Sequence, residues 1–175
     1  MRVAVGLGIA CGFALIVWLL RWEREIPTQN PRGVASVVVR GREIEVEYGR
    51  PALRGRAVLE RARVGTLWRL GADRATTFTT ETPVEFGDTS IEEGAYSLFA
   101  RRVDGGRWHL VFNREVGQWG LEHDDALDVA EIPLEHTFAT TTAERFTIEV
   151  VARGGGGTLR FHWGRDLLQA DFLIR

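Results

Sequence analysis

The sequence predicts an all-β domain, an antiparallel β-sandwich or barrel-like fold of jelly-roll type, behind one N-terminal transmembrane helix. Three observations predict it. Short segments alternate apolar and polar residues with period two, Gly-rich turns separate them, and residues 3–20 form a single run without a charge.

That run comes first in the chain. As an α-helix, 18 residues rise about 27 Å, close to the ~30 Å hydrocarbon core of a bilayer. A cleaved signal peptide calls for a shorter apolar stretch and a small-x-small cleavage site, whereas this run ends in Trp18, Leu19, Leu20, Arg21 and Trp22. A lipoprotein would use Cys11, but Gly8 stands where that signal has a large apolar residue, and the apolar run continues past the cysteine. An uncleaved anchor fits best, with Trp18 and Trp22 at the interface and Arg21 and Arg24 closing the span. Arginines are more frequent after the span (Arg21, Arg24, Arg32) than before it (Arg2), which by itself argues against export. Cys11 is the only cysteine, so the domain has neither a disulfide nor a thiol nucleophile. The expected organisation is an anchor at 1–24, a Pro-containing linker at 25–33 and a single β-rich domain at 34–175.

Within the domain, residues 34–39 are apolar and β-branched. Residues 42–48 then place Ile44, Val46 and Tyr48 on one face and Glu43, Glu45 and Glu47 on the other; the two runs predict a hairpin about Gly41. Residues 49–56 read as a loop rich in Gly, Pro and Arg, and 57–62 as one or two helical turns. Short strands follow at 76–80 and around Val84 and Phe86, with Gly87-Asp88 as a turn. Asp104-Gly105-Gly106 is the strongest hairpin signal, between strands at 95–101 and 107–113. Residues 114–125 read as a polar loop. Residues 127–134 and 146–150 alternate again as separate strands, and Gly154 to Gly157 turn the chain into a strand at 158–163. Phe146, Ile148 and Val150 are expected to share the core with Leu159, Phe161 and Trp163, and the apolar tail at 166–175 to pair as a last strand.

Net charge is −2, which gives no broad attraction to nucleic acid. All 22 basic residues are arginine. A G- and C-rich genome accounts for that usage more simply than selection for anion recognition, although guanidinium forks do suit phosphate and carboxylate.

Two clusters invite a ligand. The denser comprises Tyr48, Arg50, Arg54, Arg56, Trp68, Arg69 and Asp73, where glycines permit close approach of backbone and arginines neighbour aromatics. Its structural alternative is an ordered loop whose arginines bond carbonyl oxygens while Trp68 plugs the end of the sandwich. The second is Trp108, Asn113, Gln118 and Trp119, a composition found on carbohydrate-binding surfaces. The alternative puts Trp108 in the core and makes Trp119 the anchor of a loop. Glu122, His123, Asp124, Asp125 and Asp128 offer cation ligands, but without calcium-loop spacing they read as a solvated acidic loop. His109, His136 and His162 have no second ligand at metal spacing and read as surface or edge histidines. No nucleophile elbow, zinc-protease motif or phosphate loop occurs. No catalytic residue, metal ligand or cofactor is therefore assigned.

The ordered string Tyr48-Gly49-Arg50-Pro51, Gly55-Arg56, Trp68-Arg69, Gly71-Ala72, Ala75-Thr76-Thr77, Gly94-Ala95-Tyr96-Ser97-Leu98-Phe99, Asn113 and Gln118-Trp119-Gly120 resembles DUF2911, a bacterial family of unknown function. The resemblance spans about residues 30–163. It implies an exported domain and no particular activity. Where the family pattern has Gly-Ala-Asn-Glu-Ala-Thr, this chain reads Gly71-Ala72-Asp73-Arg74-Ala75-Thr76, which reverses the charge at the fourth position.

The leading expectation is a membrane-tethered, extracytoplasmic, non-catalytic module that binds a small anionic or carbohydrate ligand through Arg50, Arg56, Trp68, Arg69 and Tyr96. A structural or protein-interaction domain is the alternative. A hydrolase using Asp73 or the acids at 122–128 is the third reading.

Overall fold

The computed structural model describes residues 30–175 apart from residue 58. The expected anchor at 1–24, with Cys11 and both interfacial tryptophans, lies outside these residues, and so does most of the expected linker. Among the described residues no helix is long and apolar enough to cross a membrane.

Ten antiparallel strands and no α-helix make up the described chain: β1 (Arg32–Val39), β2 (Arg42–Gly49), β3 (Leu67–Trp68), β4 (Thr76–Thr80), β5 (Val84–Phe86), β6 (Thr89–Ile91), β7 (Gly94–Arg102), β8 (Trp108–Asn113), β9 (Asp128–Arg153) and β10 (Gly156–Ile174). Neighbours run β1-β2-β4-β7-β8-β9-β10-β5-β6, and β3 pairs with β7 beyond the end of β4. The long strand β9 belongs to both layers. Its first part, up to Leu134, pairs with β8, and from Glu135 onward it pairs with β10. The result is a sandwich-like all-β domain, as the period-two pattern predicts.

Four turns are closed by the residues the sequence offers. Val39 pairs with Arg42, leaving the two-residue turn Arg40-Gly41 with φ of 52° and 76°. Both angles are positive, which is the hairpin geometry whose twist matches that of the strands. Arg40 also reaches across the domain, donating from Nη1 to the Ile174 carbonyl at 2.8 Å. Gly87-Asp88 closes β5 to β6, residues 103–107 close β7 to β8, and Gly154-Gly155 close β9 to β10.

Two expectations differ from the outcome. Residues 127–134 and 146–150 are parts of one 26-residue strand, and the tail at 166–175 continues β10 instead of starting another. The apparent break has a physical cause. From His162↔Thr147 to Gly164↔Ala143 to Asp166↔Phe138, β10 advances by two residues each time while β9 advances by four and then five. Such bulges bend a strand and interrupt its alternation, so the polar stretch at 139–142 reads as a gap. The expected helical turns at 57–62 are not seen among the described residues of that span. Leu59 is buried, and a single tight turn closes where Ala62 N–H donates to the Leu59 carbonyl at 3.2 Å.

The core has two aromatic centres. In one, Phe86 bridges Phe112 at 5.4 Å and Phe172 at 5.9 Å, and Phe78 meets Phe112 edge-on at 5.4 Å. In the other, Trp68 touches Phe146 at 5.3 Å, Trp163 at 5.6 Å and Trp108 at 6.2 Å. Each such pair adds about 0.5–1.5 kcal/mol beyond its buried area. Phe146, Ile148, Leu159, Phe161 and Trp163 are buried as expected, and Val150 is partly so.

Candidate functional site

The bulged part of β9 takes a different partner. Leu53 N–H donates to the Glu144 carbonyl at 2.8 Å and Phe146 N–H to the Pro51 carbonyl at 3.0 Å, so residues 51–53 lie along β9. This pairing carries the chain after β2 across the Trp68–Phe146–Trp163 end of the sandwich. The crossing loop is secured again at 65–66, where Gly65 N–H donates to the Arg102 carbonyl and Arg102 N–H to the Thr66 carbonyl. Between these ties stand Arg54, Arg56, Arg61 and Arg63, all exposed.

Clefts open on several sides of this loop. One of about 320 Å³ is lined by Asn30, Arg54, Arg56, Arg69 and Ala72. One of about 520 Å³ has Leu53, Leu59, Phe138 and Trp163 with Arg56, Arg165 and Asp166. A third, of about 580 Å³, lies beside Trp68 and Trp108 with Arg56, Arg61 and Arg63 on its walls. Arg56 lines all three. It donates from Nε to the Leu53 carbonyl at 3.0 Å and from Nη2 to the Ala52 carbonyl at 2.6 Å, and its guanidinium lies 5.5 Å from the centre of the Trp163 ring. Its bonds fix the loop, but neutral carbonyls leave its charge uncompensated.

Arg56, Arg69 and Trp68 are therefore brought to one end of the domain, and the other sequence-predicted residues do different work. Tyr48 is buried, edge-on to Phe146 at 5.8 Å, and donates to the Ile148 carbonyl at 3.3 Å. Arg50 is half-buried, and its Nε has no partner among the described residues. Asp73 is buried and accepts at one oxygen from Asn30 N–H at 2.9 Å and Asn30 Nδ2 at 3.2 Å. Tyr96 packs against Phe112 and donates to the Glu92 carbonyl at 3.1 Å; it lines none of these clefts. Burial raises its phenol above the ordinary value, against the pull of Arg114. Asn113 is fully buried and donates to the Asp124 carbonyl at 2.9 Å and to Asp128 Oδ1 at 2.8 Å. Gln118 accepts from Ser97 Oγ–H at 3.1 Å, and half-buried Trp119 forms a bridge to Arg74.

The motif string acquires a physical meaning at this crossing. A Cβ on Gly49 would fall 2.1 Å from the Ala72 carbonyl oxygen, and Gly71, at φ +145°, would place one 3.0 Å from the Gly49 oxygen. Two backbone segments pass within contact of each other, and only glycine allows it. Thr76 Oγ1–H donates to the Leu70 carbonyl at 2.5 Å, Ala75 N–H to the Gln118 carbonyl at 3.0 Å, and Gly120 N–H to the Asp73 carbonyl at 2.8 Å. Residues 70–76 and 118–120 are stitched together, which explains a signature built of Gly, Thr, Asn and Gln.

Part of the loop read as a solvated acidic segment does converge. His123, Asp125 and Asp128 bring ligand-type atoms within 4.8 Å of one another, with His123 seated edge-on against Phe99 at 4.7 Å. Arg101 already serves the same carboxylates, at 3.1 Å from Asp128 and 3.4 Å from Asp125, and bonds Glu131 at 2.8 Å. Burial opposes the Arg101 charge, and the ionic bonds to Glu131 and Asp125 outweigh it, so its pKa is raised. This is a cation–carboxylate network. His136 forms a separate pair with Asp166 at 2.7 Å, and Asp166 lines the 520 Å³ cleft.

Sequence reasoning placed Arg54 in the first cluster but did not anticipate Arg61, Arg63 or Trp163 at the clefts, and it had put Trp108 in a different cluster. Residues 30–172 match the family described as "Protein of unknown function (DUF2911)". No curated protein and no solved structure matches the chain.

Proposed function

We propose, on the premise that the chain belongs to the DUF2911 family of proteins of unknown function, that this member is a membrane-tethered, extracytoplasmic module that binds a small anionic ligand without chemistry. A carbohydrate is the secondary ligand class. The observation that carries the reading is the gathering of Arg54 and Arg56 from the crossing loop and Arg69 from beyond β3 around one cleft. Among the described residues no carboxylate forms an ion pair with any of them, so a bound anion would meet uncompensated guanidinium charge. Tethering is supported by the 18-residue uncharged run at 3–20, which ends ten residues before Asn30 at the rim of the same cleft.

A protein-interaction role has one observation in its favour. Val34 and Val38 are 61% and 64% exposed on the outer face of β1, beside Glu47 and Glu43 of β2. It explains nothing about the arginines, and the ligand reading is preferred.

The test is a thermal-shift series of anions, sugars and glycan fragments on the full chain. A ligand at about one hundred times its Kd adds about 2.7 kcal/mol to stability. We expect phosphate or a carboxylate to raise Tm, and Arg69→Gln to abolish the shift while leaving the ligand-free Tm within a degree or two. No stabilisation by any anion or sugar would overturn the reading.

A further inference from the structure

The largest of the three clefts lies between the crossing loop and β3. Its floor is Trp68 and Trp108, and its walls carry Arg56, Arg61 and Arg63; no acidic residue among those described lines it. At about 580 Å³ it falls within the range of small-molecule sites, roughly 300–1,000 Å³. Trp108 is only 1% exposed, yet its Nε1–H has no hydrogen-bond partner among the described residues. Arg61 and Arg63 are exposed and form no ion pair among the described residues. The groove thus offers an aromatic floor and excess positive charge.

We infer that this groove binds an organic anion with an apolar, ring-sized body. The body lies against Trp68 and the edge of Trp108, and a carboxylate or phosphate meets Arg61 and Arg63. A bare inorganic anion would leave the indole floor uncovered, and a neutral sugar would leave the arginines unmatched. The inference rests on the ligand-binding reading above and names its ligand class, in a groove separate from the Arg69 cleft.

Titration calorimetry of the full chain with three probes, 2-naphthoate, 2-naphthol and inorganic phosphate, tests it. Naphthoate is expected to bind at least about tenfold more tightly than either of the others. Arg61→Gln with Arg63→Gln should weaken naphthoate by about tenfold or more and leave phosphate affinity unchanged. The Trp108 indole N–H resonance should move on adding naphthoate, and Trp108→Phe should weaken binding; the two exposed arginines keep the test sound if that core variant unfolds. Equal affinity for naphthol and naphthoate, or full naphthoate affinity in the double arginine variant, overturns the inference. Phosphate binding that Arg69→Gln abolishes, with naphthoate no tighter, retains the ligand-binding reading and removes this groove. Failure of every probe, together with a flat thermal-shift series, removes both.

Discussion

The crossing of residues 49 and 71–72 and the loop that follows at 53–66 are adjacent in the chain and opposite in construction. At the crossing, backbones touch, glycines are obligatory, and side chains of Thr76, Ser97, Asn113 and Gln118 are buried and bonded. In the loop, Gly55 and Gly65 face open space, arginines stand in solvent, and the only fully buried side chain described is Leu59. One region over-determines its geometry; the other is held at its ends and leaves its charges available. A string of motifs can therefore mark both how a fold is braced, at Gly49, Gly71 and Thr76, and where it leaves charge exposed, at Arg56.

The same substitution in the two regions breaks or sharpens this contrast. Gly49→Ala forces a methyl onto the Ala72 carbonyl and should cost about 3 kcal/mol or more, read as a lowered urea midpoint. Gly55→Ala meets no atom within 4 Å, and only its φ of +66° opposes it, at about 1 kcal/mol. Equal losses at both sites would erase the distinction. Asn113→Ala comes next. It strands the Glu115 N–H that donates to Asn113 at 3.0 Å and removes a donor from Asp128, for about 2–3 kcal/mol in the same unfolding assay.

Tyr96→Phe is expected to have the smallest effect, about 1 kcal/mol at neutral pH from the lost bond to Glu92. Its pH dependence carries more information. The Tyr96 phenol is raised above its ordinary 10.0, so the folded protein holds that proton more tightly than the unfolded chain does. The corresponding stability is complete below pH 10.0 and is lost as pH rises through the raised value. Unfolding midpoints followed from about pH 8 to about pH 11 should fall less steeply for Tyr96→Phe than for the parent. Parallel curves would count against a proton held by burial.

Hairpins were legible in the sequence because each depends on neighbours in the chain: the turns at Gly41, Gly87-Asp88 and Asp104-Gly105-Gly106 fall as read, and of the glycine run at 154–157 the first two residues turn while the last two already pair in β10. The continuity of β9 was not legible, because its bulges suspend the alternation that marks a strand. Arg56, Trp68 and Arg69 could be suspected as local clusters of arginine and aromatic residues. Trp108 could not be joined to Arg61 and Arg63, since it reaches the groove only through the pairing of β3 and β8 with opposite edges of β7. Residues such as Tyr48 and Asn113 drew attention for their polarity and proved to be buried braces, a distinction that composition does not carry.

The nested indoles of Trp68, Trp108 and Trp163 have a consequence of their own. Chromophores this close exchange excitation and couple their transitions, so near-ultraviolet circular dichroism carries a coupled signal from the seam beneath the loop. The protein carries a native optical gauge of that end, readable without any label.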